Sequence, residues 1–378
     1  MLHEDLAKEF PHSEGLVYLN HAGVAPWPRR AVEAVQRFAD ENLVQGALDY
    51  ARWLTTEAHV REQLRELINA ASADDIALLK NTSEGLSFVA NGIDWRPGDV
   101  IVSCDEEFPS NRIVWEALQA SGVELRTVGM DGADLSPEEA LIRACAARTR
   151  MLAVSSVQYA SGLRLDLSVL GRFCATRGIV FCVDAIQSLG AFSMDVRASR
   201  IDIAVADAHK WLLGPEGIAL FYVSPRIRER LALSEYGWHM RETHTDYDDP
   251  QWQPARSARR FECGSLNMIG IHALSASLSL LLEIGADAIQ EKILRNTSLL
   301  IELFKNNIAF SMLNRRPLPY QSGIVSLCHP GIGAQTLCQR LRQQGVICAV
   351  RRGALRLSPH FYINNNQLER VYDLCEKL

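Results

Sequence analysis

Short apolar segments alternate with longer amphipathic segments between residues 76 and 223 of this 378-residue chain. Most of the short segments are apolar at nearly every position, a pattern typical of strands that are covered on both faces. Seven short segments are predicted as strands, at residues 76–79, 100–103, 123–128, 151–155, 179–183, 201–206 and 218–223. We therefore predict an α/β fold built on a mainly parallel, seven-stranded sheet.

The amphipathic segments predict helices. Four of them lie between predicted strands, at residues 83–91, 111–120, 136–146 and 167–177, and two more precede the first strand, at 28–44 and 56–69. Strands and helices that alternate at this spacing form parallel sheets with helices on both faces. In such doubly wound sheets, ligands bind beyond the carboxyl ends of the strands.

The rest of the chain has a different organisation. After residue 223 comes a loop rich in aromatic and charged residues, 235–267, then a long apolar helix at 269–284. The tail from 286 onwards mixes helices with short strands at 324–328 and 355–357. Because a chain of this length favours two domains, we predict an N-terminal segment at 1–16 that packs with the small domain, a large domain at 17–252, and a small α/β domain at 253–378.

Composition narrows the range of functions. The net charge of −6 gives no indication of nucleic acid or an anionic membrane as a partner. No apolar stretch is long enough for a membrane span, and the acidic N-terminal residues do not predict a secretory signal. Nine scattered cysteines without a C-x-x-C pair favour reduced thiols in the cytoplasm over a disulfide framework, and we expect no metal site.

Polar side chains follow several predicted strands at the edge where a ligand would bind. Thr82 and Ser83 begin a helix, where hydroxyl and free N–H groups suit a phosphate, although a plain helix cap uses the same residue types. Asp184 ends one strand and could be a helix cap, and Lys210 follows a later strand, where lysines are usually solvated. Together, an amine, a carboxylate and a phosphate cradle match what pyridoxal phosphate requires of a protein. Burial would lower the pKa of such a lysine.

Several ordered motifs resemble the aminotransferase class V family of fold type I pyridoxal-phosphate enzymes, in its branch with isopenicillin-epimerase-like proteins and cysteine desulfurases. The clearest are V-D-A-I-Q-S-L-G at 183–190 and D-A-H-K-W-L-L-G-P-E-G at 207–217. The others are V-Y-L-N-H-A-G-V-A-P at 17–26, N-T-S-E-G at 81–85, E-E-F-P-S-N at 106–111, R-F-E-C-G-S-L-N at 260–267 and L-R-L-S-P-H-F-Y at 355–362. The resemblance covers almost the whole chain.

The resemblance implies a catalytic group of Lys210, Asp184 and His209. Lys210 would hold the cofactor as a Schiff base and move the proton at the substrate Cα, and Asp184 would pair with the ring nitrogen. The other implied contacts are Thr82, Ser83 and His209 on the phosphate, Gln187 on the ring oxygen, Phe108 on the ring face, Ser265 on the cofactor phosphate of a partner subunit in a homodimer, Arg356 on the substrate carboxylate, and Asn20, His21 and Ala22 at the substrate mouth. Phe108 as a core residue, Arg356 as a surface arginine and Ser265 as a turn residue remain alternatives.

The chain also departs from the cysteine desulfurases. Phe108 stands where they have a histidine, so no imidazole moves a proton over the ring. No cysteine lies between residues 349 and 358, and we interpret Cys348 as a core strand residue. We therefore expect a cytoplasmic aminotransferase, β-lyase or epimerase that acts on a small amino acid, with Tyr159, His21 and His239 as candidates for a second acid. The alternatives are a cysteine desulfurase and a cofactor-holding protein without turnover.

Overall fold

The structure of the protein is a computed structural model that describes residues 3–130, 135–243, 246–248 and 250–377. Residues 1 and 2 of the predicted N-terminal segment, 131–134 of the predicted large domain, 244, 245 and 249 of the loop, and 378 of the tail lie outside the described residues. The strands are β1 (Val17–Tyr18), β2 (Ile76–Leu79), β3 (Val100–Cys104), β4 (Glu124–Val128), β5 (Thr149–Ser155), β6 (Val180–Asp184), β7 (Ile203–Asp207), β8 (Ala219–Val223), β9 (Ser311–Met312), β10 (Val325–Cys328), β11 (Val346–Ile347), β12 (Ala349–Arg351) and β13 (Ala354–Leu357). The helices are α1 (His3–Glu9), α2 (Arg29–Gln45), α3 (Tyr50–Leu67), α4 (Thr82–Gly92), α5 (Ser110–Glu116), α6 (Pro137–Ala144), α7 (Leu167–Arg177), α8 (Pro225–Arg228), α9 (Met268–Ile284), α10 (Ala286–Lys305), α11 (Ala334–Gln343) and α12 (Asn365–Glu376).

A central sheet contains seven strands in the order β2-β8-β7-β6-β5-β3-β4. β8 runs antiparallel to β2 and β7, and the other neighbouring pairs are parallel. This confirms the predicted mainly parallel, seven-stranded sheet. Alternate residues of the central strands belong to two separate hydrophobic cores, so Val183 packs in one core and Cys182 in the other. Both faces of the sheet are therefore covered, which explains why its strands are continuous apolar segments.

Local signals fix where several helices begin. α4 starts after Asn81, whose side chain accepts a hydrogen bond from the Glu84 amide. α6 starts with a capping box between Ser136 and Glu139, and Pro137 occupies its first turn. The predicted helix at 111–120 is shorter than expected, since α5 ends at Glu116 and a 3₁₀ segment, Ala117–Ser121, follows.

Smaller sheets lie outside the central one. β12-β13-β10-β9 form an antiparallel four-stranded sheet, and β1 pairs in parallel with β11. The N-terminal part of the chain therefore contacts the C-terminal part, and the Phe10 ring also stacks on Tyr362 at a centroid distance of 3.7 Å. α9 packs against α2 and α3. The division into domains at residues 16–17 and 252–253 stays a prediction.

Among the described residues, no single helix is long and apolar enough to cross a membrane. In the part of the chain that the structure describes, one pair of helices, α9 and α10, reaches that length and composition when taken together, and the pair is bent by 83° at its junction.

Candidate functional site

The carboxyl ends of the central strands meet at one edge of the sheet. Ser155 of β5 is opposite Asp184 of β6, and Asp184 is opposite Val205 of β7, which ends two residues later. A cavity of about 360 Å³ lies at this edge, within the volume range of small-molecule sites, about 300–1,000 Å³. The predicted site residues in its lining are Asn20, Ala22, Thr82, Ser83, Phe108, Asp184, Gln187, His209, Lys210 and Arg356. The structure thus brings together residues from distant parts of the sequence.

Lys210 is held in place by the apolar residues that follow it. Trp211, Leu212 and Leu213 are buried, and the Leu213 amide donates to the Lys210 carbonyl at 3.0 Å. Leu213 has a φ of 59°, a left-handed conformation that non-glycine residues adopt only where their surroundings enforce it. The buried residues after Lys210 therefore fix the turn from which its side chain enters the cavity.

Lys210 and Asp184 line the same cavity, and each affects the protonation of the other. Burial lowers the pKa of the Lys210 ammonium to about 8, against the opposing effect of the Asp184 carboxylate. Burial raises the pKa of Asp184 to about 7. The Ile186 amide, which donates to the Asp184 carboxylate at 3.1 Å, and the Lys210 ammonium both act in the opposite direction and lower this pKa. A lysine with this pKa supplies the uncharged amine near neutral pH that a nucleophile needs.

Gln187 connects three segments of the site. Its side-chain amide donates to the Ala22 carbonyl at 3.0 Å, and its carbonyl oxygen accepts from the Trp211 indole at 3.0 Å. A carboxamide has two N–H groups, so one of them is left for an oxygen of a ligand in the cavity. Trp211 in this way orients Gln187 as well as Lys210.

The start of α4 provides polar groups for an anion. Asp207 accepts a hydrogen bond from the Thr82 amide, and the Thr82 hydroxyl accepts from the Asp207 amide at 3.2 Å. The Asp207 side chain therefore uses one of the N–H groups at this helix end, and burial raises the pKa of its carboxyl to about 6. The Thr82 hydroxyl keeps its proton for an anion, and the Ser83 hydroxyl beside it donates to the Ser110 hydroxyl at 2.8 Å. A phosphate bound here would therefore meet fewer donors than at a helix terminus with all of its N–H groups unpaired.

His209 lies next to this anion site. Its Nδ1 atom is 3.5 Å from the Asp207 carboxylate. Burial and the nearby Lys210 ammonium lower its pKa to about 4, so the imidazole is uncharged at neutral pH.

Phe108 lies at the open side of the cavity, where 39% of the residue is exposed. The Lys210 Nζ atom is 5.6 Å from the centre of its ring, and the Tyr159 ring contacts it edge-on. The neighbouring Glu107 is buried and accepts hydrogen bonds from Ser155, Gln158 and Asn111. Glu107, which fixes the loop that carries Phe108, was not among the predicted site residues. The only sequence signal for it was its place in the motif E-E-F-P-S-N.

Arg356 lies in the cavity wall with 1% of its surface exposed. Its guanidinium donates to the Tyr159 carbonyl at 2.7 Å and to the Asn20 side chain at 3.4 Å. Burial and the nearby Arg351 guanidinium lower its pKa to about 9. Arg351 also lines the cavity, and the sequence analysis missed it.

Two of the predicted site residues lie elsewhere. His21 is not in the cavity lining, because its ring is buried between the Ser358 carbonyl at 2.8 Å and the Tyr362 hydroxyl at 2.6 Å. Ser265 is exposed and lines a separate cavity of about 270 Å³, together with Lys80 and Cys263. Of the three residues predicted at the substrate mouth, Asn20 and Ala22 therefore line the cavity, whereas the His21 side chain is bound to Ser358 and Tyr362 outside its lining.

His239 also lies away from the cavity, in a buried group with Glu57 and Glu262. The three have ligand atoms within 4.8 Å of one another, a spacing that could hold a metal ion. Arg61, however, donates to both carboxylates, at 2.6 Å to Glu57 and 2.7 Å to Glu262. The guanidinium offsets one of the two negative charges that would attract a cation, and the Arg61 charge, acting against burial, lowers the pKa of Glu262 to about 2.

All nine cysteines lie in the described residues, and none of them lines the cavity around Lys210. Cys348 is 3% exposed, between β11 and β12, and its Sγ atom is 3.6 Å from that of Cys338. Burial raises the pKa of the Cys348 thiol far above its usual value. The interpretation of Cys348 as a core residue agrees with this position.

The donor set of the cavity fits pyridoxal phosphate. An amine with a lowered pKa, a buried carboxylate and hydroxyl groups at a helix N-terminus share one cavity. The Nε atom of Arg356 is buried without a hydrogen-bond partner among the described residues, as expected of a group that binds a ligand.

Comparisons with known proteins agree with this fit. The family described as aminotransferase class V matches residues 17–369. A probable cysteine desulfurase of Methanothermobacter thermautotrophicus is 32% identical over 292 residues, 76% of this chain and 72% of that protein. A cysteine desulfurase from Thermococcus onnurineus NA1 has the same fold, with a TM-score of 0.89 at 22% identity over 99% of this chain and 97% of the other. The cystine C-S lyase C-DES, solved with its reaction product cysteine persulfide, has a TM-score of 0.89 at 21% identity over 96% of this chain and 98% of the other.

Proposed function

This chain belongs to the aminotransferase class V family and is a pyridoxal-phosphate enzyme, and we propose that it acts on a small amino acid with Lys210 as the amine that holds the cofactor. The outcome is transamination, β-elimination or epimerisation. The observation that carries the proposal is that Lys210 and Asp184 are buried in one cavity, where the lysine pKa is lowered to about 8. Either residue alone would be unremarkable at a strand end.

Pyridoxal phosphate, when bound, supplies an electron-withdrawing ring that takes up the electron pair of a bond broken at the substrate Cα. Asp184 would pair with the protonated ring nitrogen, and this positive partner would lower the raised pKa of its carboxyl. Phe108 would cover one face of the ring, and the free N–H group of Gln187 would donate to the ring oxygen. Thr82, Ser83 and His209 would hold the phosphate.

The substrate would be oriented by its α-carboxylate. Arg356 lies close to Lys210, and its guanidinium can form two parallel hydrogen bonds to a carboxylate. Asn20 contacts that guanidinium and limits its rotation. Lys210 would then remove the proton from Cα, since its uncharged amine is the base available in the cavity near neutral pH.

The outcome of the reaction depends on where the proton is returned. Of the candidates for a second acid, Tyr159 lines the cavity, whereas His21 and His239 do not. Tyr159 would return the proton to the opposite side of Cα in an epimerisation, and Lys210 would carry the proton in a transamination. Loss of a leaving group from the β-carbon would give elimination.

Sulfur transfer from cysteine is the second candidate, and it is favoured by the relatives described as cysteine desulfurases. A desulfurase of that kind needs a protein thiol near the substrate to accept the sulfur. Cys348 is buried in the core of the C-terminal strands and its thiol is poorly ionised. We therefore place direct β-elimination ahead of transfer to a protein cysteine.

We also propose that the enzyme is a cytoplasmic homodimer. Leu43, Val44 and Leu48, near the end of α2, are 77–83% exposed, which is typical of a surface that another subunit covers. Ser265 in its separate cavity would reach the partner subunit's cofactor. Nine free cysteines favour a reducing compartment. A molar mass in solution equal to one chain would contradict the dimer.

The experiment is a panel assay of the purified protein with added pyridoxal phosphate. L- and D-amino acids, including L-cysteine and L-cystine, are incubated with the protein, and 2-oxo acids, sulfide and inverted isomers are identified. We expect one product class that Lys210→Ala abolishes and that Lys305→Ala, a change at an exposed helix end, leaves unchanged. Sulfide release that Cys348→Ser abolishes would favour the desulfurase. Absorbance changes without any product would favour a cofactor-holding protein.

A further inference from the structure

We infer that Arg351 binds a second anionic group of the substrate, so that the preferred amino acid carries a carboxylate or a similar anion on its side chain. The inference rests on the function proposed above and adds the substrate class. Arg351 and Arg356 lie on one hairpin, which β12 and β13 form.

The register of the hairpin puts both arginines on one face of the sheet. Ala349 of β12 is opposite Arg356 of β13, and Arg351 is opposite Ala354. Residues that are opposite one another, or two apart along a strand, point to the same face. Arg351 and Arg356 are therefore diagonal neighbours, about 7–8 Å apart at the backbone and within reach of each other's side chains.

Arg351 and Arg356 both line the cavity that contains Lys210. The Arg351 guanidinium donates to the Val350 carbonyl at 2.8 Å, and that of Arg356 contacts Tyr159 and Asn20. Within the described part of the chain, neither guanidinium forms an ion pair with a carboxylate. Three cationic side chains thus share the cavity, and the Arg351 charge lowers the pKa of both Lys210 and Arg356.

The carboxylates of the cavity already have other contacts. Asp207 accepts a hydrogen bond from the Thr82 amide. Asp184 accepts one from the Ile186 amide and is the residue proposed to pair with the ring nitrogen of the cofactor. The α-carboxylate of an amino acid balances one guanidinium and leaves the other without a counter-charge. Because like charges in a partly buried site are costly, a second anion on the substrate would be bound strongly.

The neighbouring Arg352 provides a matched control. It follows Arg351 in the turn, is exposed, and does not line the cavity. Arg352→Gln and Arg351→Gln remove the same charge one residue apart, and Arg351→Lys keeps the charge without the fork-shaped donor. If the preference for an acidic substrate came only from positive charge near the cavity, Arg351→Gln and Arg352→Gln would weaken it equally.

The experiment measures dissociation constants from the absorbance change of the cofactor-loaded protein. The probes are pairs that differ only in charge, L-aspartate with L-asparagine and L-glutamate with L-glutamine, and L-2-aminoadipate extends the series in length. We expect the wild-type protein to bind at least one acid about 10- to 100-fold more tightly than its amide or neutral analogue. Arg351→Gln should abolish that preference while amide binding stays within about twofold, Arg351→Lys should keep part of it, and Arg352→Gln should keep all of it.

Loading with the cofactor is measured first and separates the two claims. A protein that takes up no cofactor overturns the proposed function and this inference with it. A loaded protein that shows no preference for any acid overturns the inference alone. Equal weakening of acid and amide by Arg351→Gln, with unchanged thermal stability, would also overturn it, since Arg351 would then serve the α-carboxylate or the fold.

Discussion

Gly190 packs so closely against Trp211 that a Cβ atom at position 190 would lie 2.6 Å from the Trp211 carbonyl carbon. Gly190 also has a φ of 93°, which disfavours any other residue. The contact joins the segment that carries Asp184 and Gln187 to the turn that carries Lys210. The contact therefore contributes to the spacing of the amine and the carboxylate across the cavity, together with the pairing of β6 with β7 and the hydrogen bond from Trp211 to Gln187.

Gly190→Ala tests this dependence. The added methyl group must push the Trp211 backbone away, and we expect a destabilisation of about 1–3 kcal/mol, together with weaker cofactor binding, because Lys210 moves with Trp211. Urea unfolding and cofactor titration measure the two effects. Gly178→Ala, in a position with a similar φ of 67° but no atom near the added methyl group, is the control and should leave cofactor binding unchanged. Equal cofactor affinity in both variants would contradict the account.

The rate of cofactor uptake should depend on pH through Lys210. The pKa of Lys210 is lowered to about 8, and only the uncharged amine can attach the cofactor covalently. Above pH 9 nearly all of Lys210 is uncharged, and below pH 8 the uncharged fraction falls about tenfold for each pH unit. The rate of uptake should therefore rise about tenfold per pH unit up to about pH 8 and then level off. Stopped-flow absorbance measures this rate. A rise that continues to pH 10 would mean that the lysine pKa is not lowered.

Glu107→Gln should disturb the loop that carries Phe108. Glu107 accepts hydrogen bonds from the Ser155 amide and hydroxyl, Gln158 and Asn111, so an amide NH₂ group would face donors. We expect a loss of about 1–3 kcal/mol of stability, with a change in the absorbance of the bound cofactor as Phe108 shifts. Glu106→Gln changes the neighbouring, less buried carboxylate and serves as the control. An unchanged absorbance spectrum in the Glu107 variant would contradict the claim that the hydrogen bonds of Glu107 fix the position of Phe108.

Glu262 should make the fold sensitive to acid. Its pKa is lowered to about 2 in the folded protein from an ordinary 4.5, mainly by Arg61 acting against burial. A carboxyl with a lowered pKa stabilises the fold fully above its unfolded pKa, and this contribution is lost as the pH falls from about 4.5 to 2. Glu262→Gln should cost about 3–5 kcal/mol at pH 7 and flatten the dependence of stability on pH in that window. Urea unfolding between pH 2 and 7 tests this, and parallel curves for the variant and the wild-type protein would contradict it.

The sequence predicts the sheet and the main groups of the site because both depend on local patterns. Continuous apolar strands give the sheet, and the carboxyl end of a parallel strand fixes the edge at which Asp184 and Lys210 lie. Arg351 could not be identified in the same way, since its position depends on the register of a hairpin. Glu107 was missed because most of its donors, on Ser155 and Gln158, come from a distant part of the sequence. His21 was placed at the substrate mouth by its neighbours in sequence, whereas its ring turns towards Ser358 and Tyr362.

Helix limits were less predictable than the sheet. The predicted helix at 56–69 begins six residues earlier in the structure, as α3 at Tyr50, and the side chain of the preceding Asp49 forms no capping hydrogen bond that would mark this start. The change to a 3₁₀ segment after Glu116 has no composition signal either.

The central claim is that Lys210 holds the cofactor. The direct test mixes the protein with pyridoxal phosphate, reduces the mixture with borohydride, and locates the modified lysine by peptide mass spectrometry. We expect stoichiometric modification of Lys210 in the wild-type protein and no modified residue in the cavity of Lys210→Ala. Modification of an exposed lysine such as Lys80 in place of Lys210, or the same yield in Lys210→Ala as in the wild-type protein, would contradict it.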